Sequence, residues 1–192
     1  SCLAAVAGLD PFPRYLVASG SLPDGVPDDF YAQLARIAKP RGASVILDTS
    51  GAALAAAVAK GFDLIKPNLR EMRELSGGAD TPAAWEAAER SLIDKGRAKI
   101  VALTMGHLGA ALVTSEGILR AKPLAITPRS AVGAGDSFLG ALVFGLAGGG
   151  AHEDCFRSAV AAGAAALLYP GTGLCQPEDV ARLSRDVAIE RA

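Results

Sequence analysis

The apolar positions of this chain fall into short runs that alternate with stretches of helical periodicity. Four runs, at residues 15–18, 44–47, 62–65 and 99–103, are mostly free of polar alternation. Continuous apolar runs of this length are typical of strands that are buried on both faces of a parallel sheet. They predict four parallel strands.

Helical patterns fill the stretches between these runs, at residues 28–38, 52–59 and 81–95. The middle stretch is rich in alanine, and the other two repeat apolar residues at the spacing that buries one face of a helix. The predicted inward faces consist of Phe30, Leu34, Ile37 and Ala38 in the first, and of Trp85, Ala88, Leu92 and Ile93 in the third. Strands that alternate with helices predict an α/β fold.

The pattern changes after residue 103. Residues 110–114 and 117–122 predict a hairpin-like pair of strands. Long helices rich in small residues are predicted at about 135–146 and 153–168, and a last helix from about residue 177. Because neither a fixed repeat nor a low-complexity linker is present, we expect a single layered domain over residues 1–192.

The composition narrows the functional classes. Of 192 residues, 51% are apolar, which provides a sizeable core and excludes a disordered chain. The net charge of -1, without basic clusters that alternate with aromatic residues, argues against nucleic-acid binding. The three cysteines suggest neither a zinc site nor a disulfide framework, and no apolar run is long enough to cross a membrane. We expect a soluble, cytoplasmic protein.

Polar, turn-forming residues follow each of the four predicted strands. They are Gly20 to Gly25, Asp48 to Gly51, Lys66 to Glu71 and Thr104 to Gly109. Ligands of open parallel sheets bind beyond the carboxyl ends of the strands. We therefore expect a ligand site at this rim.

The segment Gly133-Ala134-Gly135-Asp136 is the most informative single motif. Small residues at a helix start leave backbone N–H groups without partners, and the helix dipole favours an anion there. Asp136 can then serve as a base beside that anion. The same pattern also fits an ordinary helix N-cap, where aspartate is favoured.

Four motifs occur together in the order and spacing of one enzyme family. They are Gly-Ser-Leu-Pro at 20–23, Lys-Pro-Asn-x-x-Glu at 66–71, Gly-Ala-Gly-Asp at 133–136 and Gly-Thr-Gly-Leu-Cys at 171–175. On these motifs the chain resembles the ribokinase-like (PfkB) family of carbohydrate kinases over essentially its whole length. The resemblance implies a ribokinase-like three-layer, Rossmann-like fold with a mostly parallel sheet. It also implies transfer of the γ-phosphate of ATP to a sugar hydroxyl.

Within that family the likeness is greatest to the members that convert fructose 6-phosphate into fructose 1,6-bisphosphate. Other acceptors remain open, namely tagatose 6-phosphate, fructose 1-phosphate and ribose. A non-catalytic ATP-binding fragment is the alternative from a different functional class.

The resemblance implies roles for the residues of the motifs. In catalysis Asp136 is the base and also meets the substrate, while Gly133, Ala134 and Gly135 supply the amides of an anion hole. Asn68 and Glu71 help to hold Mg²⁺ through its water shell. Residues implied to contact ATP are Lys66, Asn68, Thr104, Gly106, Gly109, Val160 and Ala164, and Ser21 is implied to contact the phosphosugar.

A potassium site is the last feature that the resemblance implies. Its ligands would come from Ser130, Val132, Ala166, Tyr169, Gly171 and Gly173. The chain departs from the family pattern here, because Ala131 replaces a common threonine and Tyr169-Pro170 and Gly173 replace residues that are often Asn, polar and Arg. Backbone carbonyls tolerate such substitution, so K⁺ stays among the expected cofactors with ATP and Mg²⁺.

Structural alternatives exist for several of these residues. Asn68 and Glu71 also fit a capping box, and Lys66 also fits a solvated strand end. Ser21 also fits turn chemistry, and the small residues at 159–166 also fit close helix packing.

The chain begins at Ser1 in what the pattern predicts to be a helix. In the family, a sugar-binding half and a β-sheet lid precede the Gly-Ser-Leu-Pro strand. We therefore expect residues 1–192 to be the C-terminal portion of a kinase domain, without its N-terminal part and lid. We expect the full-length protein to be a homodimer, and this portion alone to bind ATP with little kinase activity.

Overall fold

The computed structural model describes residues 2–78, 80–171 and 173–192. Its strands are β1 (Tyr15–Ser19), β2 (Ser44–Asp48), β3 (Phe62–Ile65), β4 (Ala98–Thr104), β5 (Ala110–Thr114), β6 (Gly117–Ala121) and β7 (Ile189–Arg191). Its α-helices are α1 (Cys2–Ala7), α2 (Phe30–Ala38), α3 (Gly51–Val58), α4 (Leu69–Leu75), α5 (Pro82–Asp94), α6 (Ala134–Ala147), α7 (His152–Ala166) and α8 (Pro177–Ser184). Two 3₁₀ turns lie at Lys39–Arg41 and Gly106–Leu108.

The strands form one sheet in which they follow one another in chain order. β1 to β4 are parallel, with Val17 opposite Ile46 and Ile46 opposite Leu64, whereas β6 and β7 are antiparallel. The parallel strands that the apolar runs predicted are therefore confirmed. Their carboxyl ends lie at the same edge of the sheet.

The predicted elements are present, with ends that differ by one or two residues. The sequence indicated the start of α4 through the capping-box alternative but not the extent of the helix, because α4 is only seven residues long and shows little periodicity. It also did not predict β7, whose three residues are too few to show alternation.

Burial differs from the prediction in two elements. β1 is not buried on both faces, and Val17 is 47% exposed, because β1 lies at one end of the strand order. The predicted inward residues of α5 are only half-buried, whereas Glu89 between them is buried. Periodicity locates a face of a helix, but the neighbouring elements decide how deeply that face is covered.

The chain divides into two compact units. One contains the residues up to Leu103 together with Val113–Glu116, and the other contains Thr104–Leu112 and Gly117–Ala192. The core of the first unit includes the buried side chains of Ile46, Leu47, Phe62, Leu64, Ile65 and Met72. The core of the second includes Leu112, Ile118, Phe138, Leu142 and Phe156.

The predicted single domain over residues 1–192 stays a prediction. Among the described residues, no helix combines the length and the hydropathy that crossing a membrane requires.

Candidate active site

The start of α6, in the second unit, carries the predicted base. Gly133 is its N-cap, with φ 79° and ψ -3° in the left-handed region, and it has no side chain to cap the helix. Ser137 N donates to Gly133 O at 2.8 Å and closes the first turn. The amides of Ala134, Gly135 and Asp136 lie in the first turn, where a helix offers them no acceptor. This helix start therefore offers N–H groups to an anion, with the exposed Asp136 carboxylate in the same turn.

α7 packs closely against the start of α6. A Cβ on Gly163 would lie 3.2 Å from the Ala134 carbonyl oxygen and 3.3 Å from Phe138 Cβ, which is tighter than ordinary carbon contacts. Val160 and Ala164 are half-buried on the same helix. The structure therefore confirms the helix-packing alternative for the small residues at 159–166, and contact of Val160 and Ala164 with a nucleotide stays a prediction.

The loop that follows β4 is closed by its own backbone. Met105 N donates to Gly109 O at 2.9 Å, and Gly109 N donates to Gly106 O at 3.1 Å. Gly109 has φ 98° and ψ -142°, and a Cβ there would lie 2.0 Å from the Ala121 carbonyl oxygen. Only glycine satisfies both conditions. Thr104, Gly106 and Gly109, all predicted to contact the nucleotide, thus share one compact loop.

Two loops of the second unit meet where the potassium site was predicted. Ser130 Oγ donates to Gly171 O at 3.0 Å and accepts from Val132 N at 3.2 Å. Ser130 N also donates to Leu167 O at 3.4 Å. Three of the six predicted ligand residues therefore contact one another. Thr172, in the same motif, lies outside the described residues.

The other three predicted potassium ligands lie at the end of α7 and in the turn beyond it. Tyr169 N donates to Ala166 O at 3.3 Å, and Gly173 N donates to Pro170 O at 3.2 Å. A carbonyl oxygen has two lone pairs, so the Ala166 carbonyl can accept the bond from Tyr169 N and still meet a cation. The Tyr169 side chain itself turns to α8, where its hydroxyl donates to Asp179 Oδ2 at 2.6 Å.

In the first unit, hydrogen bonds and an ion pair join the polar ends of β1, β2 and β3. Gly20 N donates to Asp48 O at 2.9 Å, and Thr49 Oγ1 donates to Gly20 O at 2.8 Å. Asp48 Oδ2 pairs with Lys66 Nζ at 3.0 Å. The Lys66 side chain is only 7% exposed, so the alternative of a solvated strand end is wrong. Ser21, next to Gly20, is exposed.

Asn68 and Glu71 form a reciprocal capping box at the start of α4. Glu71 N donates to Asn68 Oδ1 at 3.0 Å, while Asn68 N and Nδ2 each donate to one carboxylate oxygen of Glu71 at 2.9 Å. The capping alternative is therefore confirmed. Each carboxylate oxygen still has a lone pair, which suits a contact with the water shell of Mg²⁺. The box thus fits the magnesium role, which stays a prediction.

The predicted site residues fall into two groups, one in each unit. Ser21, Lys66, Asn68 and Glu71 belong to the first unit, and all the others belong to the second. Sequence reasoning did not pair Asp48 with Lys66, although a carboxylate directly after a strand was a usable signal. It also missed Asp179, which no motif marks.

A family model for pfkB family carbohydrate kinases matches residues 13–179. The chain belongs to the pfkB family of carbohydrate kinases. The family that the four motifs implied is therefore confirmed, as is the ribokinase-like α/β fold.

Two relatives of this pfkB chain are named as phosphofructokinases. The ATP-dependent 6-phosphofructokinase isozyme 2 of Mycobacterium tuberculosis is 40% identical over 182 residues, which are 94% of this chain and 53% of the relative. A 1-phosphofructokinase of Rhodobacter capsulatus is 38% identical over 185 residues, which are 95% of this chain and 57% of the relative.

The solved structure of Escherichia coli phosphofructokinase-2 in complex with potassium matches with a TM-score of 0.86 and 38% identity, over 90% of this chain and 56% of that one. The pfkB chain thus spans about half the length of the relatives it matches.

Proposed function

We propose that this chain is part of an ATP-dependent sugar-phosphate kinase that converts fructose 6-phosphate into fructose 1,6-bisphosphate. The observation that carries the proposal is the start of α6, where an uncapped set of amides stands beside an exposed carboxylate in a pfkB family chain. The relatives named as phosphofructokinases support the class of acceptor.

In this mechanism Asp136 accepts the proton of the attacking sugar hydroxyl. The sugar oxygen forms a bond to the γ-phosphorus of ATP, the bond from that phosphorus to the bridging oxygen breaks, and ADP leaves. The amides of Ala134, Gly135 and Asp136 donate to the phosphoryl oxygens as their charge is redistributed. Positioning and charge stabilisation of this kind account for most of the catalysis of phosphoryl transfer.

Lys66 would supply an ammonium near the phosphates, and Asn68 and Glu71 would meet the waters of the metal. Mg²⁺, when bound with ATP, neutralises phosphate charge and orients the γ-phosphate. Mg²⁺ keeps several of its waters and needs few protein ligands, which agrees with a site that offers only an amide and a carboxylate.

The nucleotide and a monovalent cation would occupy the second unit. The loop with Thr104, Gly106 and Gly109 would lie along the nucleotide, and Val160 and Ala164 would border the adenine. The Ser130 and Gly171 loops bind K⁺ through carbonyl and hydroxyl oxygens, which the potassium complex of the Escherichia coli relative supports.

The sugar that accepts the phosphate has more than one candidate. Ser21 is assigned to the phosphosugar, but fructose 1-phosphate is a second candidate because a 1-phosphofructokinase is nearly as similar as the 6-phosphofructokinase. Tagatose 6-phosphate and ribose complete the panel. For the complete protein we also keep the predictions of a homodimer and of a cytoplasmic location.

The experiment measures ADP release from MgATP by the product of the complete open reading frame, with one acceptor at a time. Fructose 6-phosphate and fructose 1-phosphate both yield fructose 1,6-bisphosphate, so an assay of the product from a mixture would not distinguish them. We expect the highest kcat/KM with fructose 6-phosphate. The highest value with another sugar would correct the acceptor, and calorimetric MgATP binding without any turnover would favour the non-catalytic alternative.

The role of Asp136 is tested by Asp136→Asn. We expect kcat to fall by about 10²–10⁴-fold, the range that a general base contributes. The free energy of unfolding should change by no more than about 1 kcal/mol, the contribution of an exposed carboxylate in the first turn of a helix. Asp154→Asn is the matched control, since Asp154 is an exposed aspartate in the first turn of α7. Equal turnover by Asp136→Asn and the control would contradict the base assignment.

A further inference from the structure

Tyr169 connects the predicted potassium loop to α8. Its hydroxyl donates to Asp179 Oδ2 at 2.6 Å, and the other oxygen of that carboxylate pairs with Arg182 Nη2 at 2.6 Å. Both Asp179 and Arg182 lie on α8, so the tyrosine is held by a helix and not by a loop. Tyr169 also stands where the family often has asparagine, so the sequence motif offers no explanation for this contact.

The loop that begins at Tyr169 is held on two sides. On one side, Ser130 Oγ donates to Gly171 O at 3.0 Å. On the other, the Tyr169 side chain is bound to Asp179. Gly173 lies against the same tyrosine, because a Cβ on Gly173 would be 2.8 Å from Tyr169 Cβ. Displacement of the tyrosine would therefore move the backbone that carries the loop carbonyls.

We propose that Tyr169 and Asp179 are positioning residues that hold the loop carbonyls at Tyr169, Gly171 and Gly173 in place for a monovalent cation. This inference rests on the proposed function, in which those carbonyls belong to the K⁺ site. The contact between Ser130 and Gly171 supports the fit, since it already gathers oxygens of both loops. Asp179 touches neither the cation nor the substrate and acts through Tyr169.

The bond between Tyr169 and Asp179 joins a phenol hydroxyl to a carboxylate that also pairs with Arg182. A hydrogen bond to an ionised group is stronger than one between neutral groups, so this bond suits a fixed support.

The test uses the product of the complete open reading frame and the variants Tyr169→Phe and Asp179→Asn. Tyr169→Phe removes only the hydroxyl, which guards against a general folding defect. Glu178→Gln is the matched control, because Glu178 is an exposed carboxylate in the same turn of α8. Two readouts are taken, the rise in Tm on replacing tetramethylammonium chloride with KCl, and the K⁺ concentration that gives half-maximal turnover.

We expect both variants to need about fivefold more K⁺ for half the effect on Tm and on turnover, the factor that one ordinary hydrogen bond represents. The control variant should match the wild type in both readouts. A uniform loss of activity at every K⁺ concentration, or unchanged K⁺ requirements in both variants, would overturn the inference.

The measurements distinguish failure of this inference from failure of the proposed kinase function. Wild-type turnover without a response of either readout to K⁺ would overturn the inference and leave the kinase proposal standing. Absence of turnover with every sugar would count against the kinase proposal, and the Tm readout would still decide the role of Tyr169 and Asp179.

Discussion

Two glycines of the second unit allow the same substitution to be compared in different surroundings. Both Gly109 and Gly133 have positive φ, at 98° and 79°. A Cβ on Gly133 would meet nothing within 4 Å, whereas a Cβ on Gly109 would lie 2.0 Å from the Ala121 carbonyl oxygen. Replacement of each by alanine therefore separates backbone strain from steric overlap.

The structure sets the expected magnitudes. For Gly133→Ala, the left-handed backbone costs about 1–2 kcal/mol, and the reduced entropy of the unfolded chain offsets part of it, which leaves about 1 kcal/mol. Gly109 has a backbone conformation that is almost restricted to glycine, and the overlap with the Ala121 carbonyl at the end of β6 forces a shift of that backbone. Strain and overpacking together give about 4 kcal/mol for Gly109→Ala. A chain of this size loses about 3 °C in Tm per kcal/mol.

Thermal unfolding followed by circular dichroism measures both variants beside the wild type. We expect a loss of about 3 °C for Gly133→Ala and of about 12 °C for Gly109→Ala. Equal losses, or a larger loss at position 133, would refute the conclusion that contact with Ala121 makes position 109 the more demanding of the two. Urea unfolding at fixed temperature provides an independent estimate of the same differences.

Three further changes test the first unit. Glu71→Gln should lower the free energy of unfolding by about 1–2 kcal/mol, because an amide nitrogen cannot accept the second of the two bonds that Asn68 donates to the buried carboxylate. It should also raise the Mg²⁺ concentration needed for half-maximal turnover in a metal titration. Lys66→Met should lower the free energy of unfolding by about 3 kcal/mol in urea titrations, because the largely buried Asp48 carboxylate loses the Lys66 ammonium; an unchanged midpoint would contradict this. Burial would raise the pKa of Asp63, but its bond to Lys99 and a backbone amide outweigh burial and lower that pKa. The stabilisation by the ionised Asp63 carboxylate is therefore present above about pH 4 and is lost as the pH falls through the lowered pKa. The variant Asp63→Asn should therefore lose stability less steeply in that acid range. A slope equal to that of the wild type would count against this role of Asp63.

Much of the fold could be predicted from the sequence because local patterns determine it. Apolar runs and helical spacing depend on residues a few positions apart, so they located β1 to β6 and most helices. Because these patterns are local, they did not predict how deeply individual side chains are buried. The exposure of Val17 depends on which strand lies at the end of the order, and the burial of Glu89 depends on what packs against α5.

The same difference between local patterns and contacts of distant residues applies to the candidate site. Gly133 to Asp136 and Asn68 to Glu71 are short motifs whose geometry forms within one helical turn, so their residue types were sufficient to predict a helix start and a capping box. The pairs Asp48 with Lys66, Ser130 with Gly171 and Tyr169 with Asp179 were not predictable from spacing. They join residues that are separate in the chain.

By itself, the sequence determined β1 to β6, most helices, the family and the chemistry of each motif, since each of these depends on residues that are close together in the chain. Tertiary structure alone decided which polar groups meet within each unit, that Lys66 is buried against a carboxylate, and that only glycine fits at position 109. The physical reason is that hydrogen bonds and steric contacts act over a few ångströms. Only packing brings residues distant in the chain within that range.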